Sequence, residues 1–74
     1  MIRVLYTFTF KSDFSYNEAT ETLLKTDIPK GTIKVLGVTY KEPELILDLE
    51  VEELVYCCLL ECNEVVRTAS YEII

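Results

Sequence analysis

The chain has 74 residues, of which 13 are acidic and 7 are basic, so its formal net charge at pH 7 is −6. A chain of this length forms a single domain, residues 1–74, near the lower size limit at which a hydrophobic core suffices without disulfides or metal. Its longest uninterrupted apolar run, Leu54–Leu60, has seven residues, which excludes a membrane span of about 18 or more apolar residues.

The first two predicted elements are a strand and a short helix. Apolar side chains alternate along residues 2–10, which predicts a strand with one strongly apolar face. Ser15 and Glu18 have the spacing of a capping box, and the apolar residues that follow recur at helical intervals. We therefore predict a helix over residues 16–26, ended by a turn that contains Pro29 and Gly31.

Two further strands are predicted to form a hairpin. In residues 32–40 the apolar face changes near Gly37, which indicates a bulge. A short turn with Pro43 leads into residues 44–52, where apolar and polar side chains alternate strictly. The inward side chains of this third strand are Leu45, Leu47, Leu49 and Val51. Its outward side chains are Glu44, Ile46, Asp48, Glu50 and Glu52.

The segment 53–63 is compatible with a helix or a strand. As a strand it has two apolar faces, both of which need cover, and it would form a final hairpin of residues 54–62 and 65–73. We favour the helix, because the acidic outer face of the third strand leaves no second layer to cover the other side. The inward stripe of that helix would be Leu54, Val55, Cys58, Leu59, Cys62, Val65 and Val66.

The three cysteines lie close together in this segment. Cys57 and Cys58 are adjacent, which disfavours a disulfide between them, and the chain has no histidine to complete a common zinc site. We expect Cys57, Cys58 and Cys62 to be small buried apolar side chains in a reducing compartment, the cytoplasm.

The preferred order of strand, helix, strand, strand, helix, strand predicts an α+β fold. It corresponds to a small two-layer sandwich, the ferredoxin-like βαββαβ arrangement with a four-stranded antiparallel sheet. The alternative is one helix on a five-stranded sheet that ends in the 54–62/65–73 hairpin. In the first arrangement residues 68–73 form an edge strand without proline or lysine, so we expect a homodimer through this edge or through the sheet face, with a monomer as the alternative.

The residue types disfavour catalysis. Without histidine, the commonest side chain for proton transfer near neutral pH is missing, and no serine has an evident base. Only two glycines are present, which excludes a glycine-rich phosphate loop. We therefore expect no enzyme activity, no metal and no cofactor.

Charge is distributed unevenly along the chain. Residues 42–74 have nine acids and one basic residue, whereas residues 1–41 have four acids and six basic residues. A row of carboxylates on the third strand would repel a phosphate backbone and suits docking on a basic protein groove. We expect a small acidic interaction or regulatory protein that binds a larger basic partner, for example an inhibitor that occupies a nucleic-acid-binding groove. The candidate contact residues are Glu44, Asp48, Glu50, Glu52 and Glu53.

Two other interpretations remain open. The acidic row is also typical of a solvated sheet face that keeps a protein soluble and prevents strands from stacking. A functional alternative is a small-molecule-sensing domain of the ferredoxin-like type, in which loops near residues 12–16 hold a ligand at a dimer interface.

Overall fold

The computed structural model describes all 74 residues and has the expected α+β class, with a four-stranded antiparallel sheet and two short helices. In chain order the elements are β1 (Ile2–Phe10), α1 (Tyr16–Leu24), β2 (Ile33–Lys41), β3 (Glu44–Val51), a 3₁₀ turn (Leu54–Cys57) that continues directly into α2 (Cys58–Glu61), and β4 (Val66–Ile73). The strand order in the sheet is β2-β3-β1-β4. The five-stranded alternative is wrong, because residues 54–61 are helical. None of the helices has the length and apolar character needed to cross a membrane.

The two central strands, β1 and β3, carry most of the core. Their antiparallel register places Val4 opposite Leu49 and Tyr6 opposite Leu47, so that one face of both strands is continuously apolar. Burying a leucine or valine fully contributes about 1.5–3 kcal/mol, which explains why strict alternation determines which face turns inward. The buried side chains of this face are Val4, Tyr6, Phe8, Leu45, Leu47, Leu49 and Val51.

Hydrogen bonds of Ser15 and Thr26 cap the two ends of helix α1. At its start the Ser15 hydroxyl accepts a hydrogen bond from the backbone N–H of Glu18 (3.2 Å), as the capping spacing predicts. At its end both the backbone N–H (3.1 Å) and the hydroxyl (2.7 Å) of Thr26 donate to the carbonyl of Leu23. The helix therefore stops at Leu24, two residues earlier than predicted, and buries Ala19 against the sheet.

Two irregularities modify the strand ladders. The predicted bulge near Gly37 is confirmed, because the β2–β3 register shifts between Val35 and Gly37. A second shift lies between β1 and β4, where Thr9 pairs with Thr68 but Phe10 pairs with Val66. Arg67 is thereby left without a partner in the ladder, as at a β-bulge.

The helix predicted near residues 53–63 is confirmed as a 3₁₀ turn followed by one short α-helix. Of the seven side chains predicted to face inward, Leu54 is half-buried and Val65 and Val66 are buried, but the other four are exposed. Because a 3₁₀ turn repeats every three residues, it aligns Leu54 and Cys57, and Leu60 follows at the same spacing. Cys57 and Leu60 are buried and Leu54 is half-buried. The residues that a 3.6-residue period would bury are exposed: Val55, Cys58, Leu59 and Cys62. The expectation that all three cysteines are buried therefore holds only for Cys57.

Candidate functional site

The acids predicted on the outer face of β3 lie beside basic residues of the neighbouring strands. In the register of the sheet, Glu50 lies between Lys34 of β2 and Arg3 of β1, and Glu44 lies opposite Lys41. All three β3 acids, Glu44, Asp48 and Glu50, are only half-buried. Their negative charge is therefore countered within the same sheet face, which weakens this row as an isolated acidic surface.

One of these acids is held in an ion pair with two contacts. The guanidinium of Arg3 donates from Nε to Oδ1 of Asp48 (3.1 Å) and from Nη2 to Oδ2 (2.7 Å). These hydrogen bonds lower the pKa of the Asp48 carboxyl below its ordinary value. Asp48 thus remains ionised near neutral pH, and both of its carboxylate oxygens are bound to Arg3.

The remaining predicted site residues, Glu52 and Glu53, lie beyond the end of β3 and are exposed. They begin a stretch, residues 52–64, that has four acids and no basic residue. The other two acids of the stretch are Glu61 and Glu64. None of the four is in an ion pair, since the two ion pairs of the structure are Arg3–Asp48 and Lys25–Glu21.

The same stretch exposes apolar side chains toward solvent. Val55 is 63% exposed and Leu59 is 36% exposed, and Cys58 and Cys62 are exposed beside them. Positions i, i+3, i+4 and i+7 share one face of a helix, so these four side chains form one stripe. We call the stripe together with Glu52, Glu53 and Glu64 the helical-segment surface. It combines a small apolar centre with unopposed negative charge.

The helical segment is attached to the sheet by a partly buried polar contact. The hydroxyl of Tyr6 in β1 donates a hydrogen bond to Oε2 of Glu61. The Tyr6 ring stacks on Phe8, with centroids 5.1 Å apart, and on Tyr71, with centroids 5.3 Å apart. Burial, followed by the Glu61 contact, raises the pKa of Tyr6 well above its ordinary value. Burial likewise raises the pKa of the Cys57 thiol, which therefore stays protonated near neutral pH.

The end of the segment is also fixed. The side-chain amide of Asn63 donates from Nδ2 to the hydroxyl of Thr26 (2.8 Å), and its Oδ1 accepts from the backbone N–H of Val65 (3.1 Å). These bonds join the connection before β4 to the end of α1. Together with the Tyr6–Glu61 contact, they fix the C-terminal end of the segment that carries the helical-segment surface.

The helical period predicts that Val55, Cys58, Leu59 and Cys62 share one face, but the prediction that this face turns inward is wrong. A signal was nevertheless present in the sequence: residues 54–60 are apolar at every position, so any helix formed from them has apolar side chains on both sides. The segment accordingly buries one side against the sheet and exposes the other.

No cluster of three or more histidine, cysteine, aspartate or glutamate side chains is placed to hold a metal ion. The small-molecule alternative places a ligand at the loops near residues 12–16. Ser12 and Tyr16 line a cavity there, beside Lys11 and Arg67. Comparison of the chain with protein-family models, with curated proteins and with solved structures finds no match.

Proposed function

We propose that this chain is a small acidic interaction or regulatory protein, without chemistry of its own, that binds a larger protein with a basic surface. The observation that supports the proposal is the helical-segment surface, where Val55 and Leu59 are exposed among acids that have no basic partner. Of the residues predicted as contacts, Glu52 and Glu53 belong to this surface. Glu44, Asp48 and Glu50 act from the sheet face, where basic neighbours reduce their effect.

The composition of this surface matches the two requirements of a protein interface. A buried apolar centre supplies affinity, and a charged rim supplies orientation and a faster encounter. A groove that binds nucleic acid is lined with lysine and arginine, so an acidic surface would compete with the phosphate backbone for it. We therefore propose inhibition of a nucleic-acid-binding protein as the form of regulation to test first.

The architecture and compartment that accompany this function are inferred in the same way. We infer the ferredoxin-like βαββαβ arrangement, which is supported by the strand order β2-β3-β1-β4 and by helices that lie between β1 and β2 and between β3 and β4. We infer a cytoplasmic location, which is supported by three free cysteines in so short a chain.

We further propose that the chain forms a homodimer through β4. This strand lies at the edge of the sheet and pairs only with β1. Tyr71 is 49% exposed and Ile73 is 60% exposed on its inner side, opposite Tyr6 and Val4. Pairing with a second β4 would satisfy the free edge and cover these side chains. Sedimentation equilibrium tests the proposal, and a monomer at every concentration would contradict it.

The contact surface is tested by retention of host-cell proteins on the immobilised chain at low salt, with release at high salt. The test variant is Glu52→Gln/Glu53→Gln, and its matched control is Glu44→Gln/Glu50→Gln, which removes the same charge from the sheet face. We expect the test variant to lose a basic, nucleic-acid-handling protein that the control retains, because only the test pair borders the apolar stripe.

A third variant, Leu59→Ser, should weaken retention without changing the charge, because it removes the apolar centre of the contact. Equal retention by all variants would mean that the acids are only solvated surface. Loss with the control pair alone would place the contact on β3.

A further inference from the structure

A second surface feature is a cavity of about 460 Å³ where the end of β1, the β2–β3 turn and the start of β4 meet. Its lining includes three aromatic residues, Phe10, Phe14 and Tyr16, and three charged residues, Lys11, Glu42 and Arg67. Cavities that bind small molecules measure about 300–1,000 Å³. No residue of the helical-segment surface lines it, so the cavity is independent of the proposed protein contact.

One wall of the cavity is aromatic and held in place. Phe10 and Phe14 are half-buried and pack against the hydrophobic core. The ring of Tyr16 meets that of Phe10 edge to face, with centroids 6.0 Å apart. The Tyr16 hydroxyl donates to the backbone carbonyl of Glu44 (2.6 Å), which fixes the ring against the turn. This wall therefore offers a planar molecule a preformed apolar contact.

The rim of the cavity has the opposite charge from the rest of the protein. Lys11 and Arg67 are exposed on it and neither is in an ion pair, while Glu42 is its one carboxylate. The rim thus has a net charge of +1 on a chain whose net charge is −6. The shift in the β1–β4 register leaves Arg67 out of the ladder, and the backbone N–H of Lys11 donates to the carbonyl of Val65 (3.0 Å). Both cations are therefore placed at the same edge by the backbone.

We propose that this cavity binds a small anionic aromatic molecule. The ring lies against Phe10, Phe14 and Tyr16, and the acid group accepts hydrogen bonds from Lys11 and Arg67. Arginine donates two parallel hydrogen bonds to a carboxylate or a phosphate, and lysine adds a point charge. The acid group can be either of these two, since both present oxygens to the same donors.

The test is a titration of the isotope-labelled protein followed by its backbone amide NMR signals, with phenyl phosphate and benzoate as the two probes. We expect saturable shifts at Lys11, Ser12 and Arg67, and the tighter probe identifies the acid group. Inorganic phosphate lacks the ring and phenol lacks the acid group. Each should bind at least about tenfold more weakly than the better probe, because the ring contact or a charge-assisted hydrogen bond is lost.

Variants separate the site from general electrostatics. Arg67→Gln should weaken the better probe by about tenfold, whereas Lys30→Gln, which removes the same charge outside the cavity, should leave its affinity unchanged. The amide spectrum of each variant shows that the fold is retained. Binding of inorganic phosphate as tight as that of phenyl phosphate, equal weakening by both variants, or no saturable shift with either probe would each overturn the proposal.

Discussion

Replacing Tyr6 by phenylalanine removes one hydroxyl and keeps the stacked ring in place between Phe8 and Tyr71. The lost interaction is the hydrogen bond from this hydroxyl to the carboxylate of Glu61, which joins the helical segment to β1. A hydrogen bond to a charged group contributes about 1.5–3 kcal/mol. Glu61 is half-buried, so we expect the lower end of that range.

For a domain of this size, a loss of about 1.5 kcal/mol corresponds to a decrease in Tm of roughly 6–12 °C. Urea unfolding followed by circular dichroism measures the free energy directly. In a double-mutant cycle, Tyr6→Phe should lower the free energy of unfolding by at least about 0.5 kcal/mol less in the Glu61→Gln background than in the wild type, because the two side chains are in direct contact.

The pH dependence of the same variant provides a second measurement. The pKa of Tyr6 is raised in the folded protein, whereas in the unfolded chain it is about 10. Above that pH the unfolded state releases a proton that the folded state keeps, so stability decreases as pH rises, by up to about 1.4 kcal/mol per pH unit. Cys57, whose pKa is also raised, adds a decrease of the same sign from about pH 8.5.

Tyr6→Phe should remove the part of this slope that begins near pH 10 and keep the part due to Cys57. Equal slopes in the two proteins above that pH, together with a coupling energy of zero in the cycle, would refute a stabilising hydrogen bond between Tyr6 and Glu61. Equal slopes alone would mean that Tyr6 ionises as freely in the folded protein as in the unfolded chain.

Three further predictions concern single sites. The pKa of Asp48 is lowered in the folded protein, so its carboxylate contributes stability that is lost as pH falls below about 3.9. Asp48→Asn should abolish this part of the acid destabilisation. Urea midpoints of both proteins at neutral and acid pH measure the difference. Ser15→Ala should lower stability by about 1 kcal/mol through loss of the helix cap, as measured by thermal unfolding. A thiol reagent should modify Cys58 and Cys62 in the folded protein and Cys57 only after unfolding, as mass spectrometry would report.

The central strands could be predicted from the sequence because their side chains alternate strictly. A shift of one residue in Leu45–Val51 would move four buried side chains to the solvent side, so only one orientation is stable. The bulge near Gly37 was predictable for the same reason, since the apolar face changes there. The bulge at Arg67 was not, because its signal lies in the pairing with β1 and not in the β4 sequence.

The helical segment shows where periodicity alone is insufficient. Its residues 54–60 are all apolar, so the sequence predicts that one side of this helix is buried but does not determine which of its side chains face the sheet. The side is determined by the 3₁₀ turn, which follows directly from the end of β3 and places Cys57 and Leu60 on the sheet. The exposed stripe of the candidate site is the other half of the same apolar run.

The surface charge of β3 also depends on residues that are distant in the sequence. Arg3, Lys34 and Lys41 come from the basic half of the chain, and strand pairing brings all three beside the acids of β3. Residues 52–64 leave the sheet and gain no strand neighbour, so their acids keep their full effect on the surface potential. Charge along the sequence therefore overstates the acidity of β3 relative to that of the helical segment. Because removing a countered charge changes the surface potential less than removing an unopposed one, the two charge-matched double variants should differ in how strongly salt affects partner binding.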